Sequence, residues 1–116
     1  RIINIASILG ERVTGGVAPY AISKAGVVQA TKAMALELAR YQITVNALMP
    51  GYIITDLNRD FLLSEQGDKL RSRIPSRRFG VLDDLTGPLL LLASDAGKAM
   101  SGSCIAVDSA HLVGSL

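Results

Sequence analysis

Three short apolar runs divide this chain, and the segments between them follow different rules. Residues 2–6 (Ile-Ile-Asn-Ile-Ala), 43–49 (Ile-Thr-Val-Asn-Ala-Leu-Met) and 104–108 (Cys-Ile-Ala-Val-Asp) each have the length of a strand. They are nearly continuous in apolar character rather than alternating, which predicts strands covered on both faces, as in a parallel sheet. From about Ala18 to Arg40 the pattern is helical, with Gln29, Lys32, Glu37 and Arg40 as polar punctuation. Small residues at Ala21, Ala25, Gly26, Ala30, Ala33 and Ala35 allow other elements to approach closely. A helix apolar over much of its circumference must be covered on more than one side. A second helix, capped by Asp83 or Thr86, runs to about Ser94, with Pro88 acceptable near its first turn.

Residues 52–80 follow neither period. They hold charges, Gly67 and Pro75, with apolar positions at Leu57, Phe61, Leu62, Leu63, Leu70 and Ile74. This predicts one or two short helices in a mobile segment, since 29 residues is long for a plain connector. Strands alternating with helices give an α/β fold.

Composition narrows the class. A chain of 116 residues holds one domain at most, and 49% hydrophobic with 19% charged residues is globular. A net charge of +2 is too small to argue for nucleic acid or an anionic membrane as partner. Cys104, the single cysteine, cannot form an internal disulfide and reads as a buried reduced thiol. No apolar stretch approaches the ~20 residues of a membrane span, and the amino terminus is not a signal peptide, so a cytoplasmic protein is expected.

The chemistry concentrates at Tyr20 and Lys24, four residues apart in Tyr-Ala-Ile-Ser-Lys, with Ser7 thirteen residues before the tyrosine. On a helix the pair shares one face, about 6 Å apart. An ammonium beside a phenol favours the phenolate, which makes the group a usable proton donor and acceptor near neutral pH. The spacing alone is common in helices and would more often be a surface contact. Ser7 changes the weight. It closes the first apolar run, and the carboxyl ends of parallel strands are where α/β sheets bind ligands. The second run also ends suggestively, at Pro50-Gly51 followed by Tyr-Ile-Ile-Thr-Asp.

With these segments in view, the chain resembles the carboxyl-terminal half of a classical short-chain dehydrogenase/reductase. The matching segments are N-I-A-S at 4–7, Y-A-I-S-K at 20–24, I-T-V-N-A-L-M-P-G at 43–51, R-R-F-G at 77–80, L-L-A-S-D at 91–95 and S-G-S-C-I-A-V-D at 101–108. They span essentially the whole chain in family order.

The resemblance implies the carboxyl-terminal part of a Rossmann-type doubly wound parallel sheet, with residues 1–116 a partial NAD(P)-binding domain and 52–80 a lid over the substrate. It implies hydride transfer between NAD or NADP and a small-molecule carbonyl or secondary alcohol. Tyr20 would be the general acid or base and also a contact of the cofactor, Ser7 a second hydrogen-bond donor to the substrate oxygen, and Lys24 the neighbour of the phenol and holder of the nicotinamide ribose. Pro50 and Gly51 would wall the nicotinamide, and the Ile53 backbone and Thr55 hydroxyl would contact its carboxamide or phosphate. The long helix would pack on a partner subunit in a homodimer or homotetramer, where burial within one chain is the alternative.

The same resemblance marks what is missing. No glycine-rich dinucleotide turn follows a strand here, and Gly10, Gly15 and Gly16 do not fit its spacing. That turn and the family's catalytic asparagine would lie upstream, so the expectation is a fragment of a longer product. The alternative function is then a catalytically incomplete module that only associates; an upstream T-G-x-x-x-G-x-G turn would decide for the enzyme. A sugar-nucleotide epimerase, which also uses Y-x-x-x-K, fits the P-G-Y-I-I-T segment poorly. Three strands alone leave an open edge, so the isolated chain is expected to be marginal or to aggregate.

Other residues read plainly. His111 stands alone in an apolar tail, Asp83-Asp84 is a helix-start pair, and no Cys/His spacing suggests a metal. Arg71, Arg73, Arg77 and Arg78 read as a solvated basic face rather than an anion site, and Glu11, Arg12 and Thr14 as exposed loop positions. The family usually has two glycines after the strand-end aspartate, where this chain has Ser109 and Ala110. Neither the choice between NAD and NADP nor the substrate, whether 3-oxoacyl thioester, sugar, sugar acid or other alcohol, is encoded in a readable form.

Overall fold

The computed structural model describes residues 1–114. Strands β1 (Ile2–Ile5), β2 (Val45–Pro50) and β3 (Cys104–Val107) form one parallel sheet in the order β1-β2-β3. The register pairs Ile5 with Leu48 and Pro50 with Val107, so all three strands end at the same edge. All three apolar runs are strands. The middle one starts two residues later than its pattern suggests and runs through Pro50, which is tolerated at the strand's last position.

Helix α1 (Ala18–Leu38) crosses from β1 to β2 and continues as a short 3-10 turn over Ala39–Tyr41. It buries one stripe, Ala21, Val28, Thr31 and Ala35, against the sheet. Thr31 sits in that stripe because its hydroxyl is satisfied twice, donating to the Val27 carbonyl (2.8 Å) and accepting from Asn4 Nδ2 (3.0 Å). The opposite side, with Ile22 and Leu36, is exposed. Ala6, Ile8, Val28, Ala47 and Met49 form the core between helix and sheet.

Residues 52–80 contain two short helices, α2 (Arg59–Leu62) and α3 (Glu65–Arg71). They meet at close range: a Cβ on Gly67 would lie 1.9 Å from the Leu62 carbonyl oxygen. The segment carries its own small core of Leu62, Ile74 and Phe79, with Tyr52 and Ile54 packed against it. It returns to the sheet edge through a single parallel bridge between Ile53 and Gly80.

Helix α4 (Thr86–Ala93) follows a 3-10 turn over Leu82–Leu85. Neither Asp83 nor Thr86 caps it. Its N-cap residue is Leu85, without a side-chain cap; Asp84 instead caps the 3-10 turn before it, its carboxylate accepting from the Val81 N–H (2.9 Å) and from both terminal nitrogens of Arg78 (2.9 and 3.2 Å). That pairing holds the Asp84 carboxyl below the usual carboxylate range.

The turn after β3 is held by Asp108, which accepts from the Ala110 N–H (3.1 Å) and the Leu112 N–H (2.6 Å). Ser109 and Ala110 both adopt left-handed backbone conformations there, at φ 57° and 66°. A residue with a Cβ is disfavoured in that region by roughly 1–2 kcal/mol, part of which glycine would return as chain entropy. The double substitution Ser109→Gly and Ala110→Gly is expected to stabilise the fold by about 1 kcal/mol. Thermal unfolding checks this, and an unchanged or lower midpoint would contradict it.

Candidate active site

The sequence turns at the ends of β1 and β2 build one pocket. Ser7 leaves β1 in extended conformation and caps the 3-10 turn Ile8–Gly10, its Oγ accepting from the Leu9 N–H at 3.1 Å. Spending a lone pair on the backbone leaves the hydroxyl proton free to be donated elsewhere. Gly10 brings this turn onto α1, where a Cβ would stand 2.8 Å from the Lys24 carbonyl oxygen. The absence of a side chain at residue 10 therefore sets the distance between Ser7 and the Tyr20–Lys24 helix face.

Tyr20 lies in the first turn of α1, just after Pro19, and is half exposed at 47%. Lys24 is one turn on, its Nζ 5.6 Å from the Tyr20 ring centroid. The same ammonium donates to the Ile5 carbonyl at the end of β1 (2.9 Å). That bond ties the helix face to the strand end and leaves two of its three donors uncommitted to Ile5.

The end of β2 supplies the facing wall. Gly51 donates to the Val107 carbonyl (3.1 Å), and a Cβ at this position would meet the Asp108 Cβ at 2.9 Å. In the Ile53–Gly80 bridge, Ile54 donates to Gly80 and Gly80 donates to Tyr52. A parallel bridge of this kind turns the N–H and C=O of Ile53 itself to the other side. The carbonyl is taken by Asn58 Nδ2 (2.8 Å), while Asn58 Oδ1 accepts from the Thr55 N–H (2.8 Å). Asn58 thus fixes the loop that presents the Ile53 N–H and the Thr55 hydroxyl.

Ser7, Tyr20, Lys24, Pro50, Gly51, Ile53 and Thr55 all line this one pocket, a cavity of about 460 Å³ whose walls are completed by Leu82 and Leu85. The donor set fits the nicotinamide end of a dinucleotide: a cation with spare donors for ribose hydroxyls, a peptide N–H and a hydroxyl for an amide, and a flat glycine-proline wall for the ring. Three contributors escaped the sequence reading. Asn58 and Gly10 act through backbone contacts that no spacing reveals, although an Asn shortly after a strand end is a common loop-fixing residue. Tyr52 separates this pocket from a second cleft; burial raises its pKa, Arg73 opposes that, and Tyr20 adds to it.

Residues 1–109 match the family model described as enoyl-(acyl carrier protein) reductase. The chain belongs to the short-chain dehydrogenase/reductase family. Among its relatives, 2-dehydro-3-deoxy-D-gluconate 5-dehydrogenase of Escherichia coli is 42% identical over 113 residues, 97% of this chain and 45% of that protein. The 3-oxoacyl-[acyl-carrier-protein] reductase of Staphylococcus aureus is 41% identical over 107 residues, 92% of this chain and 43% of that protein. The crystal structure of a gluconate 5-dehydrogenase from Burkholderia cenocepacia, in complex with NADP and tartrate, superposes with a TM-score of 0.91 at 39% identity, over 97% of this chain and 44% of that one. Another solved neighbour, at 26% identity, holds NAD. This short-chain dehydrogenase sequence spans about half the length of the curated relatives it matches, and its sheet is the corresponding part of their Rossmann-type fold.

The remaining sequence readings divide. Cys104 is only half-buried, not buried as its apolar run suggests: it packs against the edge of the core, and that burial pushes its thiol pKa up. Arg12 is not an exposed loop residue: it is half-buried, and its Nη1 donates to the Leu112 carbonyl at 2.8 Å. Arg71, Arg73, Arg77 and Arg78 are all exposed, as a solvated face requires; Arg71 pairs with Asp68 and Arg78 with Asp84, and Arg73 and Arg77 also line the second cleft. Among the described residues no helix is long and apolar enough to cross a membrane.

Proposed function

We propose that this chain carries the reacting end of an NAD(P)-dependent oxidoreductase that interconverts a carbonyl and a secondary alcohol. The observation that supports it is the convergence of Ser7, Tyr20 and Lys24 with the Pro50–Thr55 loop on one pocket at the carboxyl ends of β1 and β2. A bound nicotinamide supplies or accepts the hydride. In the reducing direction Tyr20 gives its phenolic proton to the substrate oxygen, and in the oxidising direction it takes that proton back. Ser7 donates a second hydrogen bond to the same oxygen, so that two fixed donors stabilise its developing negative charge. Lys24 stands one turn from the phenol, its Nζ 5.6 Å from the ring centroid, and offers its remaining donors to the ribose. Pro50, Gly51, the Ile53 N–H and Thr55 hold the nicotinamide ring and its amide. Residues 52–80, with their own small core hinged on one bridge, close over the substrate and exclude water.

The whole protein works in the cytosol as a homodimer or homotetramer, with the exposed side of α1, including Ile22 and Leu36, covered by a second copy. The relatives' names cover sugar acids and acyl thioesters, and both fit a carbonyl–alcohol exchange. The test is oxidation of NADH or NADPH, by the protein as its gene encodes it, against carbonyl acceptors of both kinds. Turnover that depends on the acceptor supports the reading. A protein that consumes neither cofactor with any acceptor would support the association-only alternative instead.

A further inference from the structure

A second cleft of about 550 Å³ adjoins the pocket, sharing Ile8, Leu9 and Tyr52 with it. Its chemistry is one-sided. Arg12, Arg73, Arg77 and His111 line it, and among the described residues no carboxylate does. Two of these cations are already anchored: Arg12 holds the Leu112 carbonyl, and Arg77 donates to the Ser72 carbonyl. Arg73 makes no ion pair among the described residues, while its charge acts on both Tyr52 and His111. The His111 ring stacks at a tilt on Tyr52, with centroids 5.7 Å apart, and its Nδ1 is buried without a hydrogen-bond partner among the described residues. Burial holds the imidazole pKa below its ordinary value, Asp108 opposes this, and Arg12 and Arg73 reinforce it. A cleft lined by three arginines and an imidazole, with no carboxylate among its described lining residues and Asp108 the one acid that acts on His111, is suited to an anion.

The cleft and the pocket meet along Ile8, Leu9 and Tyr52, and Arg73 and Tyr20 both act electrostatically on Tyr52 from their two sides. We propose that Arg73, with Arg12 and Arg77 beside it, receives the carboxylate of a short hydroxy or oxo acid whose reacting carbon lies at Ser7 and Tyr20. This rests on the oxidoreductase reading above and narrows its substrate to a sugar acid or similar hydroxy acid, in preference to an acyl thioester. Arg73 is a specificity residue here, binding the end of the substrate that does not react. Arg12 also holds the tail and Arg77 its own turn, so Arg73 is the residue to change.

The experiment uses the protein as its gene encodes it, with NAD or NADP, and a panel of matched pairs. Gluconate is set against glucitol and glycerate against glycerol, each alcohol replacing the carboxylate by a hydroxymethyl group, and an acetoacetyl thioester is included in the reducing direction. The acids are expected to exceed their matched alcohols in kcat/KM by about 10- to 100-fold, the worth of one or two charge-assisted hydrogen bonds. Arg73→Met is expected to erase that preference mainly through KM, leave the alcohols unchanged, and be partly rescued by Arg73→Lys. A loss shared equally by acids and alcohols, or a thioester preferred and indifferent to Arg73→Met, would overturn the anion site while leaving the oxidoreductase reading intact. No turnover of any member of the panel would overturn both.

Discussion

Tyr20→Phe is expected to lower kcat by about 10²- to 10⁴-fold in both directions of the carbonyl–alcohol reaction, the range for losing a general acid–base group. The substitution keeps the ring that lies 5.6 Å from Lys24 Nζ and removes only the hydroxyl. Tyr20 is half exposed in the first turn of α1, outside the core stripe of that helix, so folding and cofactor binding should survive. Steady-state rates with NADH and NADPH, alongside a thermal unfolding curve, separate the two effects. A variant that keeps its rate within about tenfold would remove Tyr20 from the chemistry, because Ser7 alone cannot supply a proton at that efficiency.

The second large effect concerns the 116-residue chain by itself. It is expected to aggregate or self-associate, without a cooperative unfolding transition. Two features of its surface carry this. The outer edge of β1 has no strand paired to it among the described residues, and an open strand edge is a template for association. Large apolar side chains also stand in solvent, with Leu57 100%, Leu36 81% and Ile22 72% exposed. Such groups are ordinary singly, but α1 presents Ile22 and Leu36 on the side away from the sheet, over a helix that has little polar character. Sedimentation velocity with thermal unfolding tests this. A soluble monomer that melts cooperatively would show that sheet and helix suffice without further cover.

Much of this architecture was written in short-range pattern. The three strands were legible because each is an apolar run closed by a residue that cannot continue it comfortably: Ser7, Pro50-Gly51 and Asp108. Tyr20 and Lys24 share a helix face by periodicity alone. What could not be read depends on approach between distant segments. Gly10 looked like one of several loop glycines until the Lys24 backbone was found against it. Arg12 reads as a loop charge in sequence, yet it is tied to a carbonyl a hundred residues away. The arginines of residues 71–78 differ in whether an aspartate lies at reach: Asp68 for Arg71 and Asp84 for Arg78, with none among the described residues against Arg73. Asp84 caps the 3-10 turn before α4, and α4 itself has no side-chain cap, because Arg78 and the Val81 N–H converge on that carboxylate, a three-way arrangement that a cap preference does not encode.

Titration of the protein as its gene encodes it with NADH and with NADPH, followed by nicotinamide fluorescence, tests the central claim most directly. The pocket of Ser7, Tyr20 and Lys24 should give saturable binding of one or both cofactors. Lys24→Met should weaken that binding by about tenfold or more, since it removes charge-assisted hydrogen bonds to the ribose. Saturable binding that is indifferent to Lys24→Met would place the nicotinamide elsewhere, and no binding of either cofactor would contradict the oxidoreductase reading itself.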